Sequence, residues 1–260
     1  MPQPRIALVT GSTSGIGLAV ARALAASGMD VMLNGSRPAA DAEPTRARLA
    51  AETGRRVLYG RADMRNPDEI RALVSLTENG LGPVDVLVNN AGVQHVEAIE
   101  NFSEERWNAI LAINLSSAFH TTKATFAGMK SRRWGRVINV ASVHGLVASP
   151  FKAAYVAAKH GLLGLTKTVA LEGAEYGITC NAICPGYVLT PLVEKQIPDQ
   201  ARERGISEQA VVRDVLLAAQ ATKEFVTVEQ LGALAVFLAS DAAAQITGTA
   251  LPVDGGWTAR

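Results

Sequence analysis

The sequence predicts an α/β fold built on one doubly wound parallel sheet, and three observations carry that prediction. Short apolar runs near residues 5, 31, 57, 84, 136, 178 and 250 alternate with helix-length segments, the pattern of parallel strands covered by helices on both faces. The first run ends in a glycine turn that opens straight into an alanine-rich helical pattern. The 260 residues are 48% apolar and carry no linker, internal repeat or low-complexity tract, so a single domain over 1–260 with about seven strands accommodates the chain.

The first strand is predicted at Arg5-Ile-Ala-Leu-Val-Thr10, the turn at Gly11-Ser-Thr-Ser-Gly15-Ile-Gly17, and the helix from Leu18 to Ser27. Glycines at such a corner permit a tight turn and close backbone approach to a pyrophosphate, which then rests on the N–H groups and positive dipole end of the helix. The spacing is Gly-x-x-x-Gly-x-Gly, and any sharp strand-to-helix corner uses glycine; its place after the first strand is what points to a nucleotide. The second strand, Val31–Asn34, ends where an acidic residue selects NAD and a basic one selects NADP. Here the chain reads Asn34-Gly-Ser36-Arg37, with no acid, and Arg37 faces either a 2'-phosphate or solvent. Asp63, after the strand Arg56–Gly60, either accepts from an adenine amino group or caps the following turn. The fourth strand, from Val84, runs into Asn89-Asn90-Ala91-Gly92, whose small residues let a ribose lie close to backbone.

Between Ser142 and Lys159 the residues point to acid/base chemistry. If residues 152–159 are helical, Lys152, Tyr155 and Lys159 stand at i, i+3 and i+7 on one face, so two ammonium groups flank one phenol. A tyrosine titrates at about 10, and a nearby cation favours its phenolate. Bringing it to about 7 requires roughly 4 kcal/mol at about 1.36 kcal/mol per unit. One solvated lysine does not supply that, whereas a partly dry cleft holding further positive charge does. Ser142 ends the apolar run Gly135–Ser142 and is expected to aim its hydroxyl into the same cleft. Taken alone, Tyr-x-x-x-Lys is also an ordinary surface helix pair.

Several function classes are excluded or disfavoured. A net charge of +1 gives no reason to expect nucleic acid or an anionic membrane. Neither a signal peptide nor an apolar run of about 18 residues is present, so a soluble, cytoplasmic protein is expected. Cys180 and Cys184 on one strand lie about 13 Å apart, too far to bridge. The histidines show no metal-ligand spacing with them. Residues 191–219, with Pro191, Pro198, Gly205 and many charges, predict short helical stretches forming a mobile lid, or else a surface hairpin for subunit contact.

Together, Thr10-Gly-Ser-Thr-Ser-Gly-Ile-Gly17, Asn89-Asn-Ala-Gly92, Asn114, Ser142 and Tyr155-x-x-x-Lys159 resemble the short-chain dehydrogenase/reductase family over essentially the whole chain. That resemblance implies a Rossmann-type sheet and reversible hydride transfer between a nicotinamide and a carbonyl or alcohol carbon. It makes Tyr155 the general acid/base and Ser142 the residue that orients the substrate oxygen. Lys159 would lower the Tyr155 pKa and hold the nicotinamide ribose, and Asn114 would bend its helix and hold a relay water. The implied cofactor contacts are Gly11, Thr13, Gly15, Ile16 and Gly17 in the first turn, and Ser36, Asp63 and Met64 at the adenosine end. Asn90, Gly92, Gly186, Val188 and Thr190 would join Tyr155 and Lys159 around the nicotinamide half.

A closer resemblance, to family members that oxidise short 3-hydroxy acids, rests on Gln94-His95, Ser142-x-His144-Gly-Leu-Val-Ala-Ser149, Lys152, Pro191–Gln196, and the tail stretches Ala243–Gly248 and Asp254–Arg260. It implies that Gln94, His144, Lys152 and Gln196 hold a substrate carboxylate, with Tyr187 and Trp257 walling off the methyl end. Lys152 lies one turn from the phenol, about the reach of a four-carbon acid. The implied reaction is reversible oxidation of (R)-3-hydroxybutyrate to acetoacetate with NAD, Arg37 leaving NADP open, in a homotetramer. The alternatives are a 3-oxoacyl carrier-protein reductase using NADPH and a nucleotide-binding regulator without chemistry; the intact Asn114, Ser142, Tyr155, Lys159 set speaks against the second.

Overall fold

A computed structural model describes residues 4–259, with the side chains at 191, 192, 195 and 196 outside that description. The apolar runs become β1 (Ile6–Val9), β2 (Asp30–Gly35), β3 (Val57–Arg61), β4 (Val86–Asn89), β5 (Gly135–Val140), β6 (Ile178–Pro185) and β7 (Ala250–Val253). They form one parallel sheet in the order β3-β2-β1-β4-β5-β6-β7. The winding reverses between β1 and β4, so the loops leaving these two strands diverge and open a crevice at their carboxyl ends.

The helices are α1 (Gly15–Ala26), α2 (Ala39–Thr53), α3 (Pro67–Gly80), α4 (Glu104–Leu111), α5 (Ser117–Arg132), α6 (Ala153–Gly173), α7 (Pro191–Arg204), α8 (Glu208–Ala210) and α9 (Val228–Ala239). The two-residue period of β1 sorts them between the faces. Ala7 and Val9 pack with Val20 and Leu24 of α1 and Leu231 and Leu238 of α9. Ile6 and Leu8 point the other way, to Ile70 and Leu73 of α3 and Met129 of α5. Each aliphatic side chain buried in this way contributes about 1.5–3 kcal/mol, which makes the central strands the most secure part of the scaffold.

Helix ends follow their local chemistry. Asn66 accepts from the N–H groups of Asp68 and Glu69 at the start of α3, and Thr227 and Gln230 form a reciprocal capping box on α9. Beneath the crevice a buried polar chain crosses the sheet: Thr121 donates to Asn89 at 2.6 Å, Asn89 to Asn139 at 2.8 Å, and Asn139 to Thr166 at 2.8 Å. Because each group has a partner, the chain locks α5, β4, β5 and α6 together without a desolvation penalty.

Residues 191–219 differ from the expected short stretches. A 14-residue helix, α7, runs through Pro198, followed by α8 and a π-helical turn at Val211–Leu216. Pro198 removes one N–H donor, yet Thr190 caps the helix by accepting from Val193. Both ends of the excursion return to one place, where Val188 pairs with Val226 and the Val226 N–H donates to the Tyr187 carbonyl at 2.9 Å. Cys180 and Cys184 are both buried and free, as their spacing requires. Among the described residues no helix is long and apolar enough to cross a membrane, and no group of histidine, cysteine or acidic side chains is arranged to hold a metal.

Candidate active site

The crevice at the β1/β4 divergence is a cleft of about 1260 Å³. At one end it is lined by Ser36, Asp63 and Met64, and at the other by Ser142, His144, Lys152, Tyr155, Lys159 and Trp257. Between these ends lie Gly11, Ile16, Gly17, Asn90 and Gly92, with Gly186, Tyr187, Val188 and Thr190. Most of the predicted nucleotide, catalytic and substrate residues therefore share one continuous space.

The glycine turn is held by Ser12, which sequence reading did not single out, and by Asn34 and Asn90, which it named for other roles. Ser12 is buried; its hydroxyl donates to the Val9 carbonyl at 2.7 Å and accepts from the Asn34 N–H at 3.0 Å. The Asn34 side chain accepts from Gly11 N–H at 3.1 Å and donates to the Gly60 carbonyl at 3.1 Å. Asn34 thus braces the turn instead of reading a ribose. Asn90 donates to the Thr10 and Gly11 carbonyls, both at 2.9 Å, so it holds the loop from the opposite side. Gly17 is indispensable here: a Cβ would stand 2.4 Å from Asn90 Nδ2 and 2.5 Å from the Gly11 carbonyl. Gly15, at φ 56°, has open space where a Cβ would stand. Thr13 packs against Gly35 and does not line the cleft; Ser14 does.

At the adenosine end Ser36 lines the cleft, whereas Arg37 is exposed outside it. Asp63 caps its turn by accepting from the Arg65 N–H at 2.9 Å and pairs with the Arg65 guanidinium at 2.6 Å. That hydrogen-bonded pairing holds its carboxyl below the ordinary range. Arg61 donates to the Ser36 carbonyl at 3.1 Å and so fixes the loop after β2.

At the catalytic end Tyr155 and Lys159 occupy one face of α6 as their spacing requires. Lys152 differs from expectation. It is the residue before the helix, at φ −127° and ψ 34°, because α6 begins at Ala153. Freed from the helical register, it places Nζ 3.2 Å from His144 Nε2. Burial, reinforced by the Lys152 charge, pushes the His144 pKa down to about 4, so the imidazole is neutral and accepts from the lysine. Burial also lowers the Lys152 ammonium.

The phenol's own surroundings oppose the simple picture of a lysine-lowered tyrosine. Burial pushes the Tyr155 pKa up, and a hydrogen bond with Ser142 acts in the other direction. Lys159 donates to the Val140 carbonyl at 2.8 Å and lies 5.5 Å from the Tyr155 ring centre. Burial lowers Lys159 itself to about 8. The reason is that the same dry cleft that strengthens Coulomb attraction also penalises each charge placed in it.

Asn114 sits in a π-helical turn, Ala112–Ser116, between α4 and α5. It lies behind the cleft: its Oδ1 accepts from Val93 N–H at 2.8 Å and its Nδ2 donates to the Val93 carbonyl at 2.9 Å. This fixes the strand exit that carries Gln94, an exposed residue on the cleft wall. Gln196 lies on α7, and its side chain falls outside the described residues. This end of the cleft is completed by rings from distant segments: Tyr187 stacks on Trp257 at 5.7 Å, Trp257 packs edge-on to His144 at 5.5 Å, and His144 to Tyr155 at 6.0 Å. Gln200, Arg204, Val215 and Leu216 also line the cleft and carry no sequence motif that could have marked them.

The chain is similar over nearly its whole length to known proteins. The chain is 57% identical over 256 residues to a D-beta-hydroxybutyrate dehydrogenase of Rhizobium meliloti, covering 98% of this chain and 99% of that one. It is 54% identical over 257 residues to a D-beta-hydroxybutyrate dehydrogenase of Cupriavidus necator, covering 98% of each. The L-sorbose reductase of Gluconobacter frateurii, solved with NADPH and L-sorbose, superposes with a TM-score of 0.93 at 30% identity, over 99% of this chain and 98% of that one. With residues 5–201 also matching the family model described as short chain dehydrogenase, on this parallel sheet and around this Ser142, Tyr155 and Lys159 cluster, the chain belongs to the short-chain dehydrogenase family.

Proposed function

We propose that this enzyme catalyses the reversible NAD-dependent oxidation of (R)-3-hydroxybutyrate to acetoacetate. The observation that carries the reading is the Lys152–His144 contact of 3.2 Å at the same cleft end as Tyr155 and Ser142. A half-buried ammonium beside a neutral imidazole suits a small carboxylate, since it supplies one charge-assisted donor without leaving a second buried cation unpaired. The names of the relatives at 57% and 54% identity support that particular acid.

The cleft also fits a nicotinamide dinucleotide. At about 1260 Å³ it exceeds the roughly 300–1,000 Å³ of a small-ligand pocket, and its wall includes Gly11, Ser14, Ile16 and Gly17 at the start of α1, where a phosphate would rest. Gly11, Ile16, Gly17, Ser36, Asp63 and Met64 would hold the adenosine and phosphate half. Gly92, Gly186, Val188, Thr190 and Lys159 would hold the nicotinamide half. When bound, the oxidised nicotinamide supplies the acceptor for a hydride. NAD is favoured because the Arg65 guanidinium is engaged by Asp63, Arg61 is turned to a backbone carbonyl, and Arg37 stands outside the cleft.

Within this site Lys152, His144 and Gln94 hold the carboxylate, and Tyr187 and Trp257 confine the methyl end. Ser142 donates to the substrate oxygen while Tyr155 takes the hydroxyl proton. Burial pushes the Tyr155 pKa up, and a positive charge bound beside it would favour the phenolate. Residues 191–219 act as a lid that excludes water, and its opening governs product release. The homotetramer that the family resemblance implies would cover exposed apolar side chains such as Phe119, Leu171, Tyr176 and Phe237 of this single-domain chain.

Initial rates with both enantiomers of 3-hydroxybutyrate, each with NAD and NADP, test the reading. Turnover of the (R) form with NAD is expected. Turnover confined to 3-oxoacyl thioesters with NADPH would overturn it in favour of a carrier-protein reductase.

A further inference from the structure

We propose that Gln220 is a positioning residue for the substrate, tying the end of the covering segment to the aromatic wall behind the carboxylate clamp. Its side chain is fully buried. Oε1 accepts from the Tyr187 N–H at 2.6 Å, and Nε2 donates to the Glu224 carbonyl at 2.6 Å. Three chain segments meet on this one amide. The first is the exit of β6, where a Cβ at Gly186 would stand 2.4 Å from Oε1. The second is the stretch 217–226 that closes the excursion, where Lys223 donates to the Leu217 and Ala218 carbonyls at 3.0 and 2.7 Å. The third is the turn before Trp257, where Gly255 approaches Nε2 to 3.2 Å for its absent Cβ.

The consequence reaches the site through a short chain of contacts. Gln220 and Val226 hold Tyr187 by its N–H and its carbonyl respectively, so the backbone that carries this ring is fixed on both sides. The ring stacks on Trp257 with planes 15° apart, Trp257 packs on His144, and His144 meets Lys152. Glutamine suits the position because it offers one acceptor and one donor with no charge. Leucine offers neither, and an ionised glutamate would set a carboxylate oxygen against the Glu224 carbonyl.

The proposal rests on Tyr187 and Trp257 forming the substrate wall, and the test separates the two ideas. In Gln220→Leu the KM for (R)-3-hydroxybutyrate is expected to rise about tenfold, with kcat within about threefold. In Gln220→Glu the KM penalty relative to the parent enzyme at the same pH should shrink as pH falls from about 9 to about 6, because the protonated carboxyl regains a donor. A purely structural role would lower kcat with the folded fraction and leave KM and its pH dependence unmoved, and that result overturns the proposal. Hydrogen exchange reads the same contact without substrate: the Tyr187 amide should exchange about tenfold faster in Gln220→Leu, with β1 amides unchanged. Unchanged exchange at Tyr187 overturns the positioning role. Faster exchange together with an unaltered KM overturns the claim that this wall serves the substrate.

Discussion

The two ends of the cleft are built by opposite strategies. At the nucleotide end, a single stretch from Thr10 to Gly17 forms the floor, and neighbouring polar side chains, Ser12, Asn34 and Asn90, are used up in holding its backbone. At the substrate end the wall is assembled from Ser142–His144, Lys152, Tyr187 and Trp257, four segments spread over more than a hundred residues of chain. The first end presents backbone, whose geometry depends on local residue type. The second presents side chains, whose relative positions depend on every contact that supports them. Errors at the first end should therefore abolish binding or folding outright, while errors at the second should alter substrate affinity by degrees.

The sharpest way to break this contrast is to remove the proton-transfer group. Tyr155→Phe should lower kcat by about 10³-fold or more while leaving cofactor affinity within about twofold, read by steady-state rates and by fluorescence titration. Substantial turnover would show that the base lies elsewhere. Next in size is Gly17→Ala. Its methyl meets Asn90 Nδ2 and the Gly11 carbonyl, and we expect a loss of about 1–3 kcal/mol of stability together with loss of cofactor binding, measured by thermal unfolding with and without NAD. A variant that binds NAD normally would show that the turn is more compliant than its packing implies. Lys152→Ala should raise the KM for the acid about tenfold to a hundredfold with a smaller change in kcat, since it removes the charged donor but not the base. An unchanged KM would detach Lys152 from the carboxylate.

The smallest effect sharpens the electrostatics of the substrate end. His144 titrates near 6.5 when unfolded and at about 4 when folded, so the unfolded chain binds the extra proton first as the medium is acidified. The stability this group contributes is complete above about 6.5 and is lost as pH falls towards about 4. Denaturant unfolding across that window should show an acid limb that is shallower in His144→Gln. An identical limb would mean that the imidazole is charged in the folded protein.

How far the sequence reaches depends on the range of the forces involved. The seven strands were legible because parallel strands buried on both faces must be continuously apolar, and each run did become a strand. Asn114 was named only through the family resemblance, and its use of both side-chain atoms on Val93 was not foreseen, because nothing in a sequence says which backbone will lie opposite a π-helical turn. Lys152 was placed one residue too deep in α6, since helix ends are set by the entering chain as much as by propensity. Gln220 carried no signal at all: its importance comes from lying between Tyr187 and Glu224 in space.

By itself, then, the order of residues determined the parallel sheet, the glycine corner after β1 and the Tyr155–Lys159 pairing on one helix face, because backbone sterics, strand and helix periodicity and apolar burial act over a few residues. Only the tertiary structure decided that Lys152 meets a neutral His144, that Asp63 engages Arg65, and that burial raises the Tyr155 phenol before any cofactor charge arrives. Those outcomes turn on desolvation and on contacts between segments far apart in the chain, and both are properties of the folded interior.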